Sequence, residues 1–236
     1  SSTASTSSSS SSTLVGLKSA SAASNYCFDG VLRPYQQEAC QHIIDFMTNE
    51  YPGALLQADP AAGKTCMVQY LISHFKVPTL VVVPNNKLVD QWLEETPKWL
   101  PQIQVGRLKK SQIRCDVGVC VATIQSVLAA KSCHIFDRFK MFVVDETHHF
   151  CAKTFHESLL KVKNVEYTIG VTATLERPDR LEYCIEWFLG PLVYQIKRDL
   201  KAEVFVVNYL NQDWETPTKK YGDRGTDHVA ALTLLC

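Results

Sequence analysis

The sequence predicts an α/β domain in which a mostly parallel sheet is covered by helices on both faces. Short apolar runs alternate with segments that repeat apolar residues at helical spacing, as in βαβ units. The runs are nearly continuous, which is typical of strands buried on both faces. Trp92 and Trp99 recur on one face of a predicted helix, so core packing is expected for both. The predicted strands lie at residues 54–58, 79–83, 117–122, 141–144 and 168–172, and the predicted helices at residues 64–75, 87–100, 124–130 and 179–188.

The chain has 236 residues, enough for one full domain with additional segments. Residues 1–24 are nearly all Ser, Thr and Ala, and we expect a disordered Ser-rich linker there because such a segment buries too little apolar surface to offset its ordering entropy. The alternating pattern places the folded domain at residues 25–200. Residues 202–210 alternate like a strand, but a polar segment follows. Residues 201–236 are therefore expected to be a linker or the start of a truncated second domain.

The composition is that of a globular protein and excludes several other classes. Apolar residues make up 46% and charged residues 20%, so collagen-like, coiled-coil and disulfide-scaffold proteins are excluded. Lys and Arg total 24, as do Asp and Glu, so any surface for nucleic acid must be local. Nine scattered cysteines without a CxxC pair, and no signal-like segment, predict an intracellular, reducing environment without distinguishing nucleus, cytoplasm and virion. No window is apolar enough for a membrane span, so no membrane contact is expected.

Residues 58–65 (ADPAAGKT) follow a predicted strand and open a predicted helix, which is the context of a phosphate-binding P-loop. Backbone N–H groups of such a loop surround the β- and γ-phosphates of ATP, and the ammonium of Lys64 would neutralise their charge. The alternative is a chance Gly-Lys-Thr string at an ordinary strand-to-helix turn. Because alanine resists positive φ, we expect the loop to avoid that conformation at Ala61 or to bind more weakly. The ATP-binding residues predicted from this loop are Ala58, Asp59, Pro60, Ala61, Ala62, Gly63, Lys64, Thr65 and Cys66.

An acidic pair follows another predicted strand. Residues 141–144 deliver Asp145 and Glu146 to the carboxyl end of a strand, where α/β sheets bind ligands. We expect Asp145 to hold Mg²⁺ together with the hydroxyl of Thr65, and Glu146 to orient or deprotonate the attacking water. The alternative is that this acidic pair belongs to a helix-capping loop. The P-loop elsewhere in the chain favours a catalytic role for the pair. Lys64, Asp145 and Glu146 are therefore the predicted catalytic residues, with ATP and Mg²⁺ as cofactors.

The string at residues 145–149 (DETHH) is a DExH box, and with it the chain resembles superfamily 2 helicases. Further motifs follow in the order found in that superfamily, at residues 32–36 (LRPYQ), 83–92, 121–126 (VATIQS) and 172–174 (TAT). The chain is most similar to the XPB-like branch, including its viral relatives. The resemblance implies a RecA-like fold of the P-loop NTPase type.

Further residue roles are implied by the same resemblance. Arg33 and Gln36 would lie on the adenine side of ATP, with Gln36 reading the base. His148, Thr172 and Thr174 would couple the state of ATP to a partner domain. The residues implied to hold a nucleic-acid strand by its backbone, with little sequence preference, are Pro84, Asn85, Lys87, Thr123, Gln125 and Ser126. A local basic cluster that either adds phosphate contacts or forms a solvated loop comprises Lys109, Lys110 and Arg114.

The resemblance implies the ATP-binding motor domain of an ATP-dependent DNA or RNA helicase or translocase. In the family, ATP binds between two RecA-like domains, and the second supplies arginine fingers that stabilise charge on the transferred phosphoryl group. No motif of that second domain follows residue 198, so we expect a first motor domain cut from a longer protein, with little ATP turnover on its own. The alternative is a non-catalytic nucleotide- or nucleic-acid-binding module with a degenerate P-loop.

Overall fold

The structure is a computed structural model that describes residues 26–108, 117–130, 132–147, 156–158, 160–174 and 182–197. All of these residues lie in the first of the two units into which the chain divides, Ser1–Arg198. The segments predicted at residues 1–24 and 201–236, the basic cluster at residues 109–114 and His148 lie outside the described residues, and their roles stay predictions. Helices in the described part of the chain are too short or too polar to cross a bilayer.

The described residues form helices and strands in alternation. The helices are α1 (Pro34–Asn49), α2 (Lys64–Phe75), α3 (Asn86–Trp99), α4 (Ile124–Ala129) and α5 (Glu182–Leu189), and a 3-10 helix covers Cys133–Phe136. The strands are β1 (Gly53–Ala58), β2 (Thr79–Val83), β3 (Val105–Arg107), β4 (Val119–Thr123), β5 (Met141–Asp145), β6 (Tyr167–Thr172) and β7 (Leu192–Ile196).

The strands of the described part of the chain form one sheet in the order β3-β4-β2-β5-β6-β1-β7. Each described pair of neighbours is parallel. Because parallel strands run in the same direction, their carboxyl ends lie along one edge of the sheet, where ligands bind in open α/β folds. The predicted α/β class with a mostly parallel sheet is confirmed.

Two hydrophobic cores lie on the two faces of this sheet. One core packs α1, α2 and α3 against the first face, through side chains such as Ile43 and Leu71. The other packs α4, the 3-10 helix and α5 against the second face, through side chains such as Leu189. Adjacent positions of the central strands alternate between the cores, as Val143 and Val144 do. This two-sided burial is the reason why the strands read as continuous apolar runs.

Besides the short 3-10 helix, one α-helix and two strands of the described residues are additional to those expected from the sequence. Helix α1 buries Ile43, Ile44 and Met47 at helical spacing and begins at Pro34, so its signals are present in the sequence. Strand β3 has three half-buried residues, and β7 is an edge strand with exposed positions. Neither strand shows the continuous apolar run that marks the buried strands.

The loop between α5 and β7 passes very close to β1. Gly190 has a φ of +104°, and a Cβ there would lie 2.2 Å from the carbonyl oxygen of Gly53. Both the conformation and the contact exclude a side chain at this position. At the end of α2, by contrast, Lys76 adopts a left-handed φ of +53°, which a glycine would adopt with less strain.

We predict that Gly190→Ala lowers the free energy of unfolding by about 2 kcal/mol or more, since it combines a disfavoured φ with a backbone overlap. Lys76→Gly is the matched control because it removes a non-glycine residue from a left-handed conformation. It should change the free energy of unfolding by less than about 1 kcal/mol, in the stabilising direction. Urea unfolding followed by circular dichroism measures both changes. Equal stability of the wild-type and Gly190→Ala chains would contradict the described loop.

Candidate nucleotide-binding site

The P-loop joins β1 to α2 and contains two residues with left-handed φ. Gly63 precedes α2 with a φ of +82°, and a Cβ there would lie 2.3 Å from Nε2 of Gln36. Ala61 has a φ of +61°. The expected path without positive φ is therefore wrong, because the loop keeps the glycine-like path and Ala61 carries a strain of about 1–2 kcal/mol. The alternative expectation, weaker nucleotide binding, stays a prediction.

The N-terminus of α1 holds the P-loop by the carbonyl of Ala62. Nε2 of Gln36 donates to this oxygen at 2.8 Å, and the hydroxyl of Tyr35 donates to it at 3.2 Å. Oε1 of Gln36 accepts from the backbone N–H of Arg33 at 2.9 Å, and Gln36 is 5% exposed. Gln36 therefore braces the loop, whereas its base-reading role stays a prediction. The contribution of Tyr35 has no signal in the sequence beyond its place in the LRPYQ motif.

Lys64 and Glu146 meet where α2 begins and β5 ends. Nζ of Lys64 lies 3.0 Å from Oε1 of Glu146, and the two side chains are 12% and 22% exposed. Glu146 reaches this position with a left-handed φ of +55°. Such strained conformations cost energy and cluster at active sites. The ion pair brings together two of the three predicted catalytic residues.

Asp145, the third predicted catalytic residue, ends β5 and is 6% exposed. Nε1 of Trp92 donates to its Oδ2 at 2.9 Å. Burial raises the pKa of Asp145 above its ordinary value, while the Trp92 hydrogen bond and the nearby Lys64 ammonium oppose that rise. The core packing predicted for Trp92 is confirmed, but its contact with the carboxylate of Asp145 could not be predicted from helical spacing.

These side chains line an open cleft of about 510 Å³, a size that is ordinary for a ligand site. Its walls are the P-loop with the first turn of α2, one face of α3, and the segments that follow β5 and β6. The lining residues are Pro60, Ala61, Gly63, Lys64, Thr65, Cys66, Leu88, Gln91, Glu95, Lys98, Trp99, Asp145, Glu146 and Ala173. The sequence did not single out the α3 residues for this site, because an amphipathic pattern shows a buried face but not the cleft beside it.

The residues predicted to hold nucleic acid follow β2 and β4, which are neighbours in the sheet. Two of them cap the helices that follow. Oδ1 of Asn85 accepts from the N–H of Leu88 at 3.0 Å, and Oγ1 of Thr123 accepts from the N–H of Ser126 at 3.3 Å. Thr123 is 7% exposed, and the more accessible members of the set are Pro84, Asn85, Lys87, Gln125 and Ser126. Both motifs lie at the same sheet edge as the cleft, and their contact with nucleic acid stays a prediction.

Of two predicted coupling residues, Thr172 ends β6 and Thr174 follows it. Oγ1 of the buried Thr172 donates to the carbonyl oxygen of Thr174 at 2.6 Å and so closes the turn after the strand. Ala173, within this turn, lines the cleft and accepts from Nε2 of Gln57 at 3.4 Å. The turn therefore contacts the cleft, while the coupling role of the two threonines stays a prediction.

The parallel sheet, the P-loop after β1 and the acidic pair at the end of β5 define a P-loop nucleotide-binding domain with a RecA-like fold. Solved structures of helicase cores share this fold. UvsW of bacteriophage T4 superposes on 72% of this chain and 36% of its own, with a TM-score of 0.57 at 18% identity. The SWI2/SNF2 ATPase core of Sulfolobus solfataricus, solved in complex with dsDNA, superposes on 70% of this chain and 37% of its own, with a TM-score of 0.56 at 22% identity. At these identities the similarity shows the fold alone.

The chain belongs to the family described as "Type III restriction enzyme, res subunit", whose sequence pattern matches residues 29–177. Membership in superfamily 2, as its first RecA-like domain, is thereby confirmed. The predicted similarity to the XPB-like branch and to viral helicases is also confirmed. The DNA 3'-5' translocase XPB2 of Sulfurisphaera tokodaii is 29% identical over 178 residues, 75% of this chain and 38% of that protein. A protein of Acanthamoeba polyphaga mimivirus, provisionally named ATP-dependent RNA helicase L396, is 30% identical over 207 residues, 81% of this chain and 40% of that protein.

The chain spans about two fifths of the length of these two relatives. The names of the relatives describe proteins that act as ATP-dependent helicases or translocases. Family membership therefore establishes a helicase-type domain that uses nucleotide.

Strain at Ala61 can be measured by replacing it with glycine. We predict that Ala61→Gly raises the free energy of unfolding by about 0.5–1 kcal/mol, because relief of the left-handed strain exceeds the entropy that glycine adds to the unfolded chain. Ala62→Gly is the matched control, since Ala62 is fully buried and lacks a left-handed φ, and it should destabilise the chain. Urea unfolding compares the three chains. Similar losses of stability in both variants would show that Ala61 is not strained.

The buried charge of Asp145 predicts a pH-dependent stability. Because the pKa of Asp145 is raised in the folded chain, the folded state binds this proton more tightly than the unfolded state. This contribution to stability is present at low pH and is lost as the pH rises from the ordinary Asp value of 3.8 through the raised value. Asp145→Asn removes the charge and keeps an oxygen acceptor for Trp92. We expect the melting temperature of Asp145→Asn to exceed that of the wild type at neutral pH, and the difference to shrink as the pH is lowered. A difference in melting temperature that does not depend on pH would contradict the buried charge of Asp145.

Proposed function

We propose that the chain is the ATP-binding motor domain of an ATP-dependent nucleic-acid helicase or translocase, which hydrolyses ATP with Mg²⁺ when a second RecA-like domain completes the site. Family membership supports the use of nucleotide. The observation that carries the proposal is the meeting of Lys64, Asp145 and Glu146 in one cleft above the P-loop.

The phosphates of ATP would bind at the start of α2. The first N–H groups of a helix lack intrahelical partners and attract anions, and the helix dipole adds to this attraction. Lys64 is the first residue of α2, so its ammonium adds a full positive charge at the same place. Gly63 and Ala61 give the loop the left-handed turns that let its backbone curl around an anion.

The cleft also provides ligands that suit Mg²⁺. Thr65 and Asp145 both line it. Their side chains carry a hydroxyl and a carboxylate, and hard oxygen atoms are the ligands that this ion prefers. The burial of Asp145 supports the assignment, because a nearby cation offsets the cost of a buried carboxylate. When bound, the ion would supply positive charge to the phosphate oxygens. We therefore assign Thr65 and Asp145 to Mg²⁺.

The ion pair between Lys64 and Glu146 suggests how nucleotide binding prepares catalysis. A phosphate group competes with the Glu146 carboxylate for the Lys64 ammonium, since both are anions and the ammonium is a single charge. We infer that ATP replaces Glu146 as the partner of Lys64. Glu146 is then available to orient the attacking water and to accept its proton.

Nucleic acid and a second domain complete the proposed motor. The segments after β2 and β4 lie at the same edge as the cleft, so backbone contacts there would be tolerant of sequence. A second RecA-like domain would supply the arginine fingers for the phosphoryl group. The non-catalytic alternative is less favoured, because Lys64, Asp145 and Glu146 are all retained and lie together.

The proposal predicts opposite effects of two substitutions on nucleotide affinity. Lys64→Ala removes a charge-assisted contact to phosphate and should weaken the binding of a fluorescent ATP analogue about 10- to 100-fold. Glu146→Gln removes the competing carboxylate and should leave binding equal or tighter. Fluorescence anisotropy titrations with MgCl₂ measure both affinities. Lys140→Ala is the matched control, because Lys140 forms an exposed ion pair with Glu166 at 2.8 Å and should bind like the wild type.

Turnover is the second readout, measured in a protein that carries both motor domains. There Glu146→Gln should abolish ATP hydrolysis stimulated by nucleic acid while ATP binding persists. The substitution removes the group that orients the attacking water and keeps the contacts to the phosphates of bound ATP. Wild-type affinity in Lys64→Ala, or normal turnover in Glu146→Gln, would contradict the proposed roles.

A further inference from the structure

Trp92 is a core residue of α3 whose polar atom contacts Asp145, one of the residues that line the cleft. Its side chain is 1% exposed, and its Nε1 donates to Oδ2 of Asp145 at 2.9 Å. An indole can only donate, and a buried indole N–H requires an acceptor. Here the acceptor is a carboxylate, so the hydrogen bond is charge-assisted and stronger than one to a neutral group.

Two further buried hydrogen bonds fix the helix at this position. Oγ1 of Thr96 donates to the carbonyl oxygen of Trp92 at 2.7 Å, and Nε2 of Gln69 donates to Oγ1 of Thr96 at 2.8 Å. Thr96 and Gln69 are both fully buried. A continuous chain of buried polar groups therefore joins the end of β5 to α3 and then to α2, the helix that follows the P-loop.

We propose that Trp92 is a positioning residue that fixes the Asp145 carboxylate in the orientation used for the cation of the bound nucleotide. The indole donates to one oxygen of the carboxylate, so the group cannot rotate without losing this hydrogen bond. Residues that orient a metal ligand affect metal affinity about 10- to 100-fold when replaced. The inference rests on the proposed function, because it requires that the cleft bind a nucleotide with Mg²⁺.

The chemical difference between packing and positioning lies in the N–H group. Phenylalanine at position 92 would keep an aromatic ring in the core and remove the donor. Histidine would lose bulk and keep a donor at the same ring position, because Nε2 of imidazole and Nε1 of indole are each one carbon away from Cγ. If Trp92 only packs in the core, Trp92→Phe should preserve the function of the site better than Trp92→His. If Trp92 positions Asp145, Trp92→His should preserve it better.

The test measures the affinity of a fluorescent ADP analogue with and without MgCl₂, at a temperature where urea unfolding shows each chain to be folded. In the wild type, MgCl₂ should tighten binding. In Trp92→Phe the gain in affinity that MgCl₂ produces should be about ten-fold smaller, while the affinity without MgCl₂ stays unchanged. Trp92→His should recover part of the gain. Trp187→Phe makes the same substitution at an exposed position of α5 and should keep the full gain.

A second measurement leaves position 92 intact. A chain with Trp99→Phe, Trp187→Phe and Trp214→Phe retains Trp92 as its single tryptophan, and its emission should shift when MgCl₂ and ADP are added together. The absence of any MgCl₂-dependent binding in the wild type would refute the proposed function itself. A full gain in Trp92→Phe would refute only the inference about Trp92. If Trp92→Phe does not fold, an emission unchanged by MgCl₂ with ADP refutes the inference instead.

Discussion

The site depends on one constraint, the parallel pairing of strands that places their carboxyl ends along one edge of the sheet. The P-loop follows β1, the acidic pair ends or follows β5, and the predicted nucleic-acid motifs follow β2 and β4. These segments are distant in sequence and share only their position after a strand. Parallel pairing therefore brings these segments to one edge, where Lys64 is the first residue of a helix and Asp145 is the last residue of a strand.

Strain and buried charge are concentrated around this cleft. Ala61 and Glu146 both adopt a left-handed φ, and Asp145 is a carboxylate removed from water. Such features persist only where their surroundings over-determine them. Gln36 supports the strained loop through its hydrogen bond to the P-loop backbone, and Trp92 supports the buried carboxylate. Gln36 and Trp92, neither of which is a predicted catalytic residue, thus hold the strained loop and the buried carboxylate in place.

The sequence predicts the strands that are buried on both faces and misses those that are not. The run at residues 79–83 coincides with β2 because its apolar side chains enter the two cores in alternation. Strand β7 escapes prediction because its exposed positions interrupt the pattern. The same division holds in the site. Lys64 and Asp145 follow from strand, loop and helix order, whereas the bond from Trp92 depends on how two distant elements pack, which a local pattern does not encode.

The position of β1 in the sheet has a consequence for how the chain folds. Strand β1 comes first along the sequence, yet it pairs with β6 and β7, which come last among the described strands. During synthesis β1 therefore leaves the ribosome well before β6 and β7 are made, and until then its apolar side chains lack these strand partners. Pairings of such large sequence separation are slow to form. The nucleotide cleft is accordingly completed late, when β7 contacts the P-loop and the carbonyl oxygen of Ile196 accepts from the N–H of Asp59 at 3.3 Å.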